Sequence, residues 1–329
     1  LNYERGGQRV AQNLWPGLMI ASRGEEVPIN LVRSGVTFER APLELIQSVV
    51  NGLEWDLISG IRRVSTPDEQ LKTIGFLEGH GEPDDLKLLE LFFDLERNHR
   101  VVRLNLDKYI YRLNAQKETG IPSLASAVDL VVVAKPTEKF KGIELVLLDE
   151  YIMNGGRILW MLDPISAEME KLNEASQQDE GVMDTPSTFG VQNDVGLSEL
   201  LYHFGVKVNR DLVLDPQCSK ILVNAGPRGG SPQLRDWVYF PTAIPDGTEH
   251  AITTNLAKRH LHFQFVSSLD LVDTQDDVAA TVLLHSSEKA KRMRAPVRIA
   301  LNRVDMGEDY FHHGNTPDMA YAVLLEGSF

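Results

Sequence analysis

Between residues 67 and 215, short apolar runs alternate with amphipathic segments, and this alternation constrains the fold of the 329-residue chain more than any other feature. The runs "TIGFL", "VVRLNL", "DLVVVA", "RILWML" and "DLVLD" predict strands, and apolar spacing of three or four residues predicts helices over 83–98, 140–156 and 196–205. Such alternation indicates a mainly parallel sheet with right-handed crossovers. "DLVVVA" is apolar on both faces, as a central parallel strand is. We therefore predict a doubly wound, flavodoxin-like α/β core over residues 67–215.

Two segments of different character flank this predicted core. Residues 1–66 contain a predicted hairpin, "GLMIASRGEEVPINLV", and a long helix that begins at Pro42, which we interpret as the remnant of a preceding lobe. Residues 216–329 have short runs rich in β-branched residues and predict a strand-rich extension packed on the core. Residues 165–193 are polar and without periodicity, which is typical of a functional or disordered loop.

Composition excludes several classes of function. The net charge of −14 argues against binding nucleic acid or an anionic membrane surface, because both need a basic face. A single cysteine, Cys218, excludes a disulfide within the chain. No apolar run approaches the roughly 20 residues of a membrane helix. Since the chain begins without methionine, we expect it to be a fragment whose anchors lie outside it.

The stretch "GFLEGHGEPDD", residues 75–85, follows the first core strand and resembles a ligand-binding turn. It is not a phosphate loop, because no lysine follows its glycines. It is not a dinucleotide fingerprint either, since Asp84 occupies the place of the third glycine. Acidic residues here would also repel a pyrophosphate. Both nucleotide-binding interpretations therefore fail.

A weaker interpretation remains for this turn. In an open α/β sheet, ligands bind beyond the carboxyl ends of the strands, and Glu78, His80, Glu82 and Asp163 are predicted to lie there. These side chains are candidates for binding a polar ligand or a divalent metal. The alternative is structural: Glu82 caps the helix, the glycines form a tight turn, and His80 bonds to nearby backbone. Turns between strands and helices are rich in glycine and aspartate for backbone reasons alone, which favours the structural alternative.

No catalytic residue is predicted. Cys218 lacks the glycine-flanked elbow of a nucleophile, and G-x-S-x-G, H-E-x-x-H and C-x-x-C do not occur in the sequence. We accordingly predict no metal and no cofactor. The cluster "KAKRMR", residues 289–294, is basic in an acidic chain and could contact a phosphate, a lipid headgroup or an acidic partner. A solvated connection between strands is the commoner role of such a run.

The order of several motifs resembles one protein family. "IGFLEGHGE", "DLVVVAKPTEKF", "LDEYIMNGGRILWMLDPI", "LLYHFGVKVNRDLVLD", "APVRIALN" and "AVLLEGSF" follow one another as they do in the gliding-associated auxiliary component of ABC transporters from Bacteroidetes. The resemblance covers nearly the whole chain. It implies a fold like that of the class I amidotransferases, without their nucleophile.

The resemblance also implies a function. A member of this family would be a periplasmic or other extracytoplasmic domain of an inner-membrane protein, held by membrane helices outside this fragment. Its partners would be a permease and an ATPase, with a small molecule or polysaccharide as a further ligand. Our leading hypothesis is a non-enzymatic binding domain. The alternatives are a degenerate or metal-assisted hydrolase that uses His80, Glu82 and Asp163, and a purely structural scaffold.

Overall fold

The computed structural model describes most of the chain, namely residues 2–5, 8–11, 17–22, 24–31, 42–115, 124–169, 172, 187–224, 232–245, 250–254, 261–272, 277–303, 306 and 308–329. By its internal contacts the chain divides into two units. The first unit contains residues 1–76, 84–103 and 126–130, and the second contains residues 77–83, 104–125 and 131–329.

Most of the described helices lie in the first half of the chain. They are α1 (Pro42–Ser65), α2 (Asp85–Glu96), α3 (Leu106–Ala115), α4 (Leu124–Ala127), α5 (Gly142–Met153) and α6 (Ser198–His203), with short 3₁₀ turns at Asp68–Gln70, Leu301–Arg303 and Glu308–Phe311. Among these helices, none is both long enough and apolar enough to span a bilayer.

The strands are distributed along the whole chain. In the first half they are β1 (Asn2–Arg5), β2 (Gln8–Ala11), β3 (Gly17–Ser22), β4 (Glu25–Asn30), β5 (Thr73–Leu77), β6 (Arg100–Leu104), β7 (Leu130–Ala134), β8 (Ile158–Met161) and β9 (Ile165–Ser166). In the second half they are β10 (Ser187–Gln192), β11 (Val206–Val208), β12 (Asp211–Leu214), β13 (Cys218–Asn224), β14 (Pro232–Pro245), β15 (Leu261–His262), β16 (Leu269–Leu271), β17 (Val278–His285), β18 (Lys291–Arg294), β19 (Val297–Ala300) and β20 (Ala320–Gly327).

The first unit confirms the predicted hairpin and the predicted long helix. Strands β3 and β4 pair antiparallel, and Pro42 is the first residue of α1, where its missing N–H costs nothing. Gly60 of α1 faces the side chains of Ile20 and Ile29, and a Cβ at this position would overlap both. The absence of a side chain at residue 60 therefore lets the helix lie close to the hairpin.

The predicted strands of the core exist, but the predicted flavodoxin-like fold is wrong. Within the described residues, the parallel arrangement is limited to one four-stranded sheet with the order β6–β5–β7–β8. Strand β7 pairs in parallel with β8, in the register Val131 to Ile158. After β8 the pairing becomes antiparallel, and the remaining sheets are not wound by helical crossovers. The chain is thus a strand-rich α/β protein with several antiparallel sheets, and it is not a doubly wound one.

The larger antiparallel sheets occupy the second unit. A seven-stranded sheet has the order β11–β16–β20–β17–β14–β13, with β15 paired to β14. A three-stranded sheet has the order β19–β10–β9, and β12 and β18 form a two-stranded sheet. The strand-rich character of residues 216–329 is therefore as predicted. Within the predicted polar loop over 165–193, residues 170–171 and 173–186 lie outside the described part, while β9 and β10 at its ends pair antiparallel.

Strand β12 shows why the parallel sheet was overestimated. All four of its residues are buried, which reads locally as a central parallel strand. Leu212 and Leu214 belong to an apolar cluster around Trp237, whereas Val213 belongs to a second cluster that includes Tyr321. Successive side chains point to opposite faces of a strand. Strand β12 is therefore covered on both faces, because each face packs against one of the two clusters. Its partner is the antiparallel strand β18.

Candidate functional site

The turn after β5 is built around two glycines with positive φ. Gly79 has φ +111° and Gly81 has φ +72°, a region that residues with a Cβ rarely adopt. Between them, His80 is turned inward, and only 4% of its surface is exposed. The glycines therefore serve to bury an imidazole ring rather than to surround a phosphate.

Two buried carboxylates hold this ring, and we call His80, Glu82 and Glu144 the His80 clamp. Nε2 of His80 lies 3.1 Å from Glu144 Oε2, and Nδ1 lies 3.4 Å from Glu82 Oε1. The side chains of Glu82 and Glu144 are 7% and 2% exposed. Glu82 also accepts a 2.7 Å hydrogen bond from the backbone N–H of His80. Glu144 accepts a 2.7 Å bond from the N–H of Lys141 at the start of α5.

The clamp favours a charged imidazole and a charged Glu82. Burial by itself lowers the pKa of His80, but the hydrogen bonds and charges of Glu82 and Glu144 outweigh it, so the pKa is raised. Burial likewise tends to raise the pKa of Glu82, yet its bonds to the ring and backbone of His80 leave that pKa lowered. A proton held between carboxylates in this way is stabilised and is poorly suited to transfer.

Backbone contacts close the space around the ring. The carbonyl of His80 accepts 2.8 Å hydrogen bonds from the N–H groups of Thr137 and Glu138. The Thr137 hydroxyl donates to the carbonyl of Gly81 at 3.0 Å. On one side, the ring stacks on Phe140 with centroids 4.0 Å apart and planes within 10°. The turn is therefore filled by the protein itself.

The four predicted site residues do not form one site. His80 and Glu82 are brought together. The other two carboxylates form ion pairs with lysines instead: Glu78 Oε1 lies 3.5 Å from Lys108 Nζ, and Asp163 Oδ2 lies 2.8 Å from Lys135 Nζ. Among the described residues, no group of three His, Cys, Asp or Glu side chains is arranged to hold a metal ion.

The turn differs from the structural alternative in two of its three parts. Asp84, not Glu82, is the N-cap residue of α2, and it makes no capping bond with its side chain. The ring of His80 contacts carboxylates rather than backbone. Glu144 was missed because Lys141 stands where the Ser or Thr of a capping box would be, so no capping signature marks Glu144 in the sequence.

Cys218 has the unreactive environment that the sequence indicated. It is the first residue of β13 and is partly buried. Burial, with a contribution from the charge of Asp236, raises its pKa to about 11. A thiol with this pKa is almost entirely protonated at neutral pH and is a poor nucleophile.

An open groove in the second unit offers more room for a ligand. We call it the cationic groove; its volume is about 830 Å³, and Lys207, Arg210, Arg292 and Arg294 line it. Strand β18 contributes the last two of these side chains. The prediction that "KAKRMR" is a solvated connection is therefore wrong for residues 291–294, which form a strand paired with β12.

Buried polar contacts position Arg292, one of the arginines of this groove. Arg292 Nε lies 3.0 Å from Asp211 Oδ2, and its Nη2 donates to Asp270 at 3.1 Å. Asp211 is 1% exposed and accepts 2.9 and 2.7 Å bonds from the N–H and hydroxyl of Ser268. Desolvation raises the pKa of Asp211, although Ser268 and Arg292 oppose this shift. One groove arginine is therefore fixed by a polar network rather than free in solvent.

Comparison with known proteins places the chain in a family. The chain is a strand-rich α/β protein with a closed strand-end turn and an open groove. The family model described as an ABC-type uncharacterized transport system matches residues 71–329, and the chain belongs to this family.

Other comparisons are less informative. None of the curated proteins matches the chain. A solved structure described as "mmIFT52 N-terminal domain" is similar at 19% identity, with a TM-score of 0.41 over 69% of this chain and 78% of that one.

Proposed function

We propose that this chain is a non-enzymatic, extracytoplasmic domain that binds a ligand or partner for an ABC transport system associated with gliding motility. Membership of the transport family supports the link to an ABC system. The extracytoplasmic location and the gliding association rest on the motif resemblance described above. The partners would be the permease and ATPase subunits of the system.

The observation that carries the non-enzymatic role is the His80 clamp. In an open α/β sheet, the turn after a core strand is where reactive groups are usually presented. Here both ring nitrogens face carboxylates, at 3.1 and 3.4 Å, and the ring is buried. A general base needs a nitrogen within reach of substrate. Nδ1 of His80 is not aligned for a hydrogen bond with Glu82, but the whole ring is closed off from solvent.

The two alternative functions are less well supported. A metal-assisted hydrolase would need His80, Glu82 and Asp163 around one ion, but Asp163 pairs with Lys135 and the ring of His80 faces Glu82 and Glu144. A purely structural scaffold would need no ligand site, whereas the second unit contains a groove of about 830 Å³.

A pull-down of the intact membrane protein tests the proposal. Co-purification of a permease and an ATPase is the expected result. Recovery of neither subunit would contradict the transport role. Substantial turnover of an acyl, glycosyl or phosphoryl substrate that is abolished by His80→Gln would contradict the non-enzymatic role.

A further inference from the structure

We propose that the cationic groove binds a small organic anion, and that Arg292 and Arg294 contact its phosphate or carboxylate group. This proposal names a ligand class for the binding role proposed above and rests on it. Both arginines lie on β18 at positions two apart, and side chains two apart on a strand point to the same face.

The lining of the groove carries more cationic than anionic side chains although the chain is acidic. Four cationic side chains line it, against two carboxylates, in a chain of net charge −14. Of the two carboxylates, Asp211 is buried against Ser268 and only Glu199 is exposed. Two further carboxylates, Asp194 and Asp270, lie beside the lining and partly offset the charges of Arg210, Lys207 and Arg292. The attraction for an anion therefore centres on Arg294.

Two arginines have donors available for a ligand. Arg294 is exposed and forms no ion pair with the part of the chain that the structure describes. Nε of Arg292 lies beside the carboxylate of Asp211, and its Nη2 donates a hydrogen bond to Asp270. Its Nη1 has no partner among the described residues. Its buried Nε lies 3.0 Å from a carboxylate oxygen but is not aligned for a hydrogen bond. A planar guanidinium held in this way is preorganised to bind an oxyanion.

The other two cations limit how much negative charge the groove accepts. Lys207 lies 3.7 Å from Asp270, and Arg210 lies 3.5 Å from Asp194 and also donates to Gln192. Their charges are therefore partly neutralised, and Arg294 provides most of the free positive charge. This balance fits a ligand with one or two negative charges better than a polyanion.

The size and the neutral lining fit a single small molecule. A volume of about 830 Å³ lies within the roughly 300–1,000 Å³ of small-molecule sites. Tyr202, which is exposed, and Val208 offer apolar surface, while Ser198, which is also exposed, offers a neutral hydrogen-bonding group. The charged group of the ligand would contact β18, and its uncharged part would lie against these residues.

A titration with matched probes tests the proposal on the 329-residue chain. Phenyl phosphate and benzoate are the anionic probes and phenol is their neutral match, with binding followed by NMR of the arginine Nε–Hε signals. We expect each anion to bind at least roughly tenfold more tightly than phenol, since hydrogen bonds to charged groups contribute that much. Added salt should weaken the binding of the anions and leave the binding of phenol unchanged.

Substitutions locate the binding. Arg294→Ala should lower the affinity for the anions roughly tenfold, and Arg294→Lys should retain part of that affinity. The control is Arg62→Ala, which changes an exposed arginine of α1 and should have no effect. The proposal is overturned if phenol binds as tightly as the anions, if Arg294→Ala behaves like Arg62→Ala, or if a hexaglutamate peptide binds in preference to the small anions. If permease and ATPase still co-purify in such a case, the groove assignment fails while the transport role stands.

Discussion

Replacing His80 with glutamine is the most direct test of the clamp. The substitution keeps a polar side chain of similar length and removes the positive charge between Glu82 and Glu144. Because both carboxylates are almost fully buried, they cannot recover the lost interaction from water. The protein should therefore be destabilised by an unpaired buried charge rather than by a lost volume alone.

The contacts of His80 set the expected loss in the free energy of unfolding. The 3.1 Å bond to Glu144 is well formed, and a hydrogen bond to a charged group contributes about 1.5–3 kcal/mol. The 3.4 Å contact with Glu82 is longer and contributes less. Loss of the stacking on Phe140 adds about 0.5–1.5 kcal/mol. We expect His80→Gln to lower the free energy of unfolding by about 3–4 kcal/mol, within the usual cost of about 3–5 kcal/mol for breaking a buried pair.

The cost should depend on pH. Since the pKa of His80 is raised above its ordinary 6.5, its stabilisation is fully present below pH 6.5 and is lost as pH rises through the folded value. The pKa of Glu82 is lowered below its ordinary 4.5, so its stabilisation is present above pH 4.5 and is lost as pH falls through the folded value. The cost of His80→Gln is therefore greatest between these limits, and it should fall as pH rises through the folded pKa of His80.

Urea unfolding followed by circular dichroism at about pH 5.5, 7 and 9 measures this effect. His313→Gln is the control, because His313 is exposed and such a change should stay within about 0.5 kcal/mol. A cost that is equal at all three pH values, or no larger than that of the control, would refute a charged imidazole held by carboxylates.

Three further predictions concern Gly81, Cys218 and Asp215. Gly81→Ala should cost about 1–2 kcal/mol more than Gly155→Ala in urea unfolding, since both have positive φ but only at Gly81 would the new Cβ overlap Thr137. Cys218 should react with a thiol reagent at pH 8 roughly 100-fold more slowly in the folded protein than in urea, because burial raises its pKa to about 11; equal rates would contradict this. Asp215→Ala should lower the free energy of unfolding by about 2–3 kcal/mol, because it leaves three hydrogen-bond donors without their acceptor; a cost below about 0.5 kcal/mol would show that these bonds contribute little.

The candidate site was only partly predictable. "GFLEGHGEPDD" was identified from its glycines and its place after a strand, and His80 with Glu82 lies at the centre of the observed clamp. Glu144 is 64 residues away in sequence, so its approach to His80 depends on how α5 packs. Of the cationic groove, the sequence indicated only "KAKRMR". Lys207 and Arg210 are far from β18 in the sequence and line the same groove where β12 pairs with β18.

Local patterns in the sequence determined the elements of this protein. The hairpin β3–β4, the helix that begins at Pro42, the strands β5 to β8 and the inert character of Cys218 could all be inferred from neighbouring residues. The strand partners were decided only by the tertiary structure. A strand that is buried on both faces shows the same apolar run in a parallel sheet and between two antiparallel clusters, as β12 does. Burial pattern therefore reports how much of a strand is covered, whereas the direction and identity of its partner depend on contacts between residues far apart in the chain.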